Sequence, residues 1–155
     1  MLNDLTPKII ESSEVIDEMI SQYFANRLGV KDPKTINALG KDGKLTFNQK
    51  IELFCDIIPL SKIDKSKFKV FTKINNEILL MDQENSKDLD SLDSFTCYTP
   101  FLLNTYLESD DLISVKEKLH QSINLLIEDI KEITRLQINK PQVYYNKKVG
   151  IILPQ

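Results

Sequence analysis

The side chains able to do chemistry are few and scattered. The chain has one histidine, His120, and two cysteines, Cys55 and Cys97. Zinc is usually held by several Cys or His ligands at paired spacings, and these three residues form no such pair, so neither a metal site nor a cofactor is expected. A nucleophile activated by His120 would need a cysteine or serine brought beside it by folding, and nothing local offers one. His120 therefore reads as a surface or boundary residue of a helix. Carboxylates are plentiful, with 23 acidic residues, but acid–base work requires one of them to be desolvated. Asp110 and Asp111 are better explained by helix capping, and Asp82, Glu84, Asp88, Asp90 and Asp93 by a solvated acidic loop. Neither a Gly-x-Gly-x-x-Gly nor a Gly-x-x-x-x-Gly-Lys-Ser/Thr phosphate loop occurs. That excludes nucleotide hydrolysis by those devices.

Two polar features stand out from this background. Lys62, Lys65, Lys69 and Lys73 recur at spacings of three, four and four, so on a helix they project from one side. Such a row is a candidate face for anions, phosphates or an acidic partner, and it is also what a solvated helix face looks like. Asn75 is the odder residue. Its helical angle places it beside Phe68, Phe71 and Leu79 on the apolar side, where an amide must find hydrogen-bond partners or cost about 1–3 kcal/mol. With Asn76 it marks a candidate polar site between helices, or a buried structural amide.

The elements that must position these residues are helices. Thr6 and Pro7 form a helix start, and Ile9, Ile10, Val15, Ile16, Met19, Ile20, Tyr23 and Phe24 recur at helical spacing until Gly29, which predicts a helix over 7–28. Val30 to Lys44 reads as a connector, with Pro33, Gly40 and the turn pair Asp42 and Gly43. Thr46 and Gln49 form a capping box that opens a helix over 46–58, with Phe47, Ile51, Phe54, Cys55 and Ile58 inward and Pro59 at its stop. Ser61 and Asp64 open the next, over 62–81, with Phe68, Phe71, Ile74, Ile78 and Leu79 inward. The short turn between them implies an antiparallel hairpin. A kinked or split helix interrupted by Pro100 is expected over 88–107. Ser109, Asp110 and Asp111 are read as the cap of the longest helix, over 110–138, whose Leu119, Ile123, Leu126, Ile130 and Ile133 form a heptad-like stripe. That stripe suits burial within one bundle, with pairing to a second copy as the alternative. The apolar tail over 141–155 is expected to dock on the bundle or on a partner. The whole is one domain, residues 1–155: an all-α antiparallel bundle of about five helices with a long C-terminal helix.

Composition supports this reading and bounds the function. An apolar share of 41%, 28% charged residues and only four glycines describe an ordinary globular chain with few positions for tight turns. The two cysteines in apolar surroundings and the lack of a leader-like N-terminus point to a reducing cytoplasm without a disulfide. No apolar run approaches the roughly 20 residues that span a bilayer. A net charge of −3 gives no general attraction to polyanions, so nucleic-acid binding would need a local patch such as the lysine row, with Lys147 and Lys148.

The run from Leu39 and Gly40 to Met81 carries a family likeness. Lys44, Leu45, Thr46 and Phe47, then Lys50 and Ile51, then Ile74, Asn75 and Asn76 resemble the mannitol repressor family and related bacterial HEPN-like helical domains, over about a quarter of the chain. In catalytic members of that group the resemblance implies an arginine and a histidine acting on an RNA phosphodiester. Here the arginine falls on Asn75, the family's asparagine on Asn76 and the histidine on Leu80, so only the asparagine matches. A leucine neither stabilises charge nor relays protons. The resemblance thus implies a non-enzymatic regulatory domain acting through protein contacts, with RNA association as the alternative and residual ribonuclease activity as a third.

Overall fold

The computed structural model describes residues 5–40, 43–83, 97–107, 114–140, 143–145 and 152–154; side chains are described for all of these except 81–83 and the last two segments. Among the described residues five helices supply most of the core: α1 (Leu5–Arg27), α2 (Phe47–Ile57), α3 (Lys62–Gln83), α4 (Thr99–Tyr106) and α5 (Val115–Ile138). The chain is all-α in class. A short ladder follows the helices, β1 (Val143–Tyr145) against β2 (Ile152–Pro154), antiparallel with Tyr144 opposite Leu153. The tail expected over 141–155 therefore pairs with itself. Its side chains, and with them its docking, lie outside the described residues. No helix among the described residues is long and apolar enough to cross a membrane.

Local signals explain most boundaries. Gly29 adopts a φ of 71° and closes α1, with Val30 N–H returning to the Ala25 carbonyl at 2.8 Å, a left-handed cap that a side chain would strain. Thr46 and Gln49 form the reciprocal box at the start of α2. The Ser61 hydroxyl accepts from Asp64 N–H at 3.0 Å at the start of α3. Three expectations are corrected. Thr6 does not cap α1: the helix already includes Leu5, which is buried, and the Thr6 hydroxyl is buried and makes no hydrogen bond among the described residues. The cap of α5 is Ser114 with Glu117, which form a reciprocal capping box at the start of the helix; Ser109, Asp110 and Asp111 lie outside the described residues. Pro100 sits in the first turn of α4, where its missing N–H costs nothing, so it starts a helix rather than kinking one. Residues 84–96, which cover most of the acidic loop and the start expected for that helix, lie outside the described set; Asp82 belongs to α3.

Ring contacts between α2 and α3 run in opposite order, Phe47 with Phe71 and Phe54 with Phe68, so this hairpin is antiparallel. Helix α2 follows α1 in the same sense, because Lys50 meets Asp17 and Phe54 meets Tyr23. Two helices running the same way need a returning connector, and residues 28–46 supply it. A 3-10 turn at Pro33–Thr35, capped by the Asp32 carboxylate, leads to a turn in which Gly43 N–H reaches the Gly40 carbonyl at 2.8 Å. Between them Leu39 is buried against the bundle. Helix α5 packs on α1, α3 and α4 and buries Leu119, Ile123, Leu126, Ile127 and Ile130. Its stripe is covered within the chain.

Candidate functional site

The polar interior is built on the turn of α1 that carries Ser13, Asp17 and Ser21. By helical angle Asp17 lies within the same arc as Ile9, Ile16, Ile20 and Phe24, so α1 points a carboxylate toward the core. Helix α2 answers it. Lys50 falls beside Phe54 and Phe47 on the inward stripe, and its side chain is buried, with 1% of its surface exposed. Its ammonium donates to Asp17 Oδ2 at 2.8 Å and to the Leu39 carbonyl at 2.9 Å. The Ser21 hydroxyl donates to the same carbonyl at 2.8 Å. A buried ammonium survives only with such pairing, since its desolvation is offset by the carboxylate and the carbonyl together.

Two acceptors in this region are left over. Asp17 Oδ1 and Asn75 Oδ1 are both buried and make no hydrogen bond among the described residues. Asn75 itself is 2% exposed. Both residues line a cleft of about 420 Å³ bounded by α1, the connector, Phe47 of α2, and Asn75 and Leu79 of α3. Ser13 also lines it, its hydroxyl turned to donate to the Ile10 carbonyl at 2.8 Å. The rim adds Glu14, Glu18, Asp32 and Lys34, while Leu39, Phe47 and Leu79 form apolar wall.

On the other side of Leu39 lies a second depression of about 540 Å³, and it is apolar. Tyr23, Phe24, Arg27 and Leu28 of α1 and its cap, Ile36, Ala38, Leu39 and Leu45 of the connector, and Leu53 and Ile57 of α2 line it. Leu28 is 67% exposed, Ile57 52% and Leu53 40%. Arg27 is fixed at its edge: its Nε donates to the Tyr23 hydroxyl at 3.0 Å and its guanidinium carbon stands 5.3 Å from that ring's centroid.

The expected site residues do not converge. Lys62, Lys65, Lys69 and Lys73 are all exposed along one side of α3, with Lys73 Nζ 5.8 Å above the Tyr98 ring. Lys147 and Lys148 lie outside the described residues. Lys67, between the row's members, turns inward instead and pairs with Asp129 at 2.7 Å, whose Oδ2 also accepts from the Tyr106 hydroxyl. Asn75 faces the cleft, whereas Asn76 accepts from Asn48 at 3.2 Å across α2 and α3. Leu80 is exposed, about 140° around the helix from Asn75, so the two positions that the HEPN likeness compares do not share a face. His120 is half-buried and its Nδ1 lies 3.2 Å from the Asn124 amide, which in turn accepts from Lys8. Leu79, read as inward, lies at the open edge of the cleft. Cys55 is half-buried on α2, and Cys97 is exposed in the turn before α4 rather than inside a helix; both are free thiols. Among the described residues no group of three His, Cys, Asp or Glu side chains is placed to hold a metal ion.

The Lys50 and Asp17 pair was not anticipated from the sequence. The signal was present in each helix separately, as a charged residue inside an apolar arc, but the partners are 33 residues apart. Comparison with known proteins returns no match to a family model, to a curated protein or to a solved structure.

Proposed function

We propose that the protein is a non-enzymatic helical interaction and regulatory domain that binds a partner protein in the apolar groove between α1, the connector and α2. The observation that carries this reading is the exposure of Leu28, Leu53 and Ile57 around one concave apolar surface. Large apolar side chains scattered singly are ordinary, but a contiguous set lining a depression, each side chain already partly buried, gains about 1 kcal/mol for each one that a partner fully covers. The geometry suits an amphipathic helix presenting two or three large apolar residues. An acidic residue at its flank would meet Arg27, whose guanidinium is already held in place against Tyr23. The likeness to the mannitol repressor group, which implies action through protein contacts, supports the same reading.

Photo-crosslinking from position 57 in cells tests it. The expected result is one adduct with a different protein, mapped to an amphipathic helix with an acidic flank, and its loss in Leu53→Lys. That substitution leaves the core intact because Leu53 is partly exposed already. Adducts spread over unrelated proteins, adducts indifferent to Leu53→Lys, or an adduct with a second copy alone would each overturn the reading.

A further inference from the structure

We propose that the cleft between α1, the connector and α3 is a binding site for a small aliphatic diamine or polyamine, one ammonium of which is held by Asp17 Oδ1 and Asn75 Oδ1. The groove and this cleft are separate surfaces that share only Leu39. Asp17 Oδ1 and Asn75 Oδ1 are buried acceptors without a partner among the described residues, whereas buried polar atoms are nearly always satisfied and each exception asks for a reason. Both are oxygens, so what satisfies them must donate. The buried donors beside them turn elsewhere, Lys50 to Asp17 Oδ2 and the Leu39 carbonyl, Ser21 to that same carbonyl, and Ser13 to the Ile10 carbonyl, and none of them reaches these two oxygens. The hydroxyl oxygens of Ser13 and Ser21 keep acceptor capacity, so the inner end of the cleft is rich in acceptors.

Charge selects further. Lys50 neutralises Asp17, which leaves the rim to decide, and Glu18 and Asp32 outnumber Lys34 there. A cation is favoured over a neutral alcohol or an anion. The walls formed by Leu39, Phe47 and Leu79 suit methylene groups, and a volume of about 420 Å³ falls within the range of small-ligand sites. A chain of methylenes with an ammonium at each end uses all three regions: acceptors within, apolar wall along the middle, carboxylates at the rim. A bare divalent ion fits less well, because one Asp17 oxygen is occupied by Lys50 and Asn75 offers a single neutral ligand.

Calorimetric titration of the full chain with 1,4-diaminobutane and with spermidine, using 1-butanol and magnesium as controls, tests the proposal. Saturable binding at one site is expected for the amines and not for the controls. Asn75→Leu should weaken it at least tenfold, and Asp32→Asn, whose amide oxygen can still accept from Lys34 N–H and keep the cap of the 3-10 turn, severalfold with a shallower salt dependence. The side-chain amide resonance of Asn75 should shift on titration of the parent chain. Amine binding that survives Asn75→Leu and Asp32→Asn, displacement by magnesium at equal concentration, or no saturation by either amine would overturn it.

Discussion

An ammonium group removed from water is tolerated only where its charge is met and its donors find acceptors, and Lys50, bonded to Asp17 and to the Leu39 carbonyl, shows how that condition binds this molecule. Removing only the cation, as in Lys50→Met, strands Asp17 with one oxygen already unsatisfied. A loss of about 3 kcal/mol is expected, at the low end for a buried pair because the Asp17 side chain keeps 18% exposure. Lys50→Met combined with Asp17→Leu should recover most of that loss. Urea midpoints at constant slope would measure both, and a double variant no better than the single one would show that Lys50 acts chiefly through the Leu39 carbonyl. Cys55 supplies a pH-dependent case. Burial pushes its thiol up from the ordinary 9.0 to about 11, against a smaller lowering by Lys65. The folded state thus favours the protonated form, so its contribution is complete below pH 9 and is lost as pH rises toward 11. The deficit of Cys55→Ala in melting temperature should shrink between pH 8 and pH 11, and a deficit constant across that range would refute the assignment. Asn75 was visible in the sequence as an amide on an apolar stripe; that it would lack a partner was not, because satisfaction depends on neighbours from other helices.

Helix α3 is the element on which the two readings of the surface divide. Phe68, Phe71, Ile74 and Ile78 bury one side, while Lys62, Lys65, Lys69 and Lys73 stand in solvent on the other. A second reading assigns this row to nucleic acid. If all four lysines met phosphates, affinity for a duplex should fall with salt at a logarithmic slope of about −3.6. Lys65→Glu with Lys69→Glu should weaken binding and flatten that slope, and affinity unchanged by the pair would remove the row from consideration. At this scale the sequence was most readable. Reciprocal caps such as Thr46 with Gln49 are local, so the residues that make them are also the residues that display them. Misplaced boundaries arose where a richer capping composition lay nearby: Ser109, Asp110 and Asp111 looked stronger than Ser114, yet Ser114 has the glutamate three residues on. Proline misled for a related reason, since its effect reverses between the interior of a helix and the first turn.

For the molecule as a whole, amphipathic spacing was enough to give a helical bundle, because each apolar stripe has to find another. How α1 and α2 lie together was not legible in the same way. Turn residues in the connector announce that the chain bends but not what it packs against, and the bonds that seat it join Leu39 to Ser21 and Lys50, far apart in sequence. No local pattern encodes such a meeting. The two surface depressions share this origin, for both exist only because the connector crosses between α1 and α2.

That crossing has a kinetic side. The Leu39 carbonyl is gripped from α1 and from α2 at once, so the strand of chain behind it cannot peel off by fraying at one end; both grips must release together. The amides of Lys44 and Leu45, bonded to the Asn37 and Ala38 carbonyls, should therefore exchange with deuterium at one common opening energy, below that of Ile74 and Ile78 in α3. Lys50→Met should speed that pair together, by one common factor. Unequal, independent rates for Lys44 and Leu45 would mean that the latch is two separate catches.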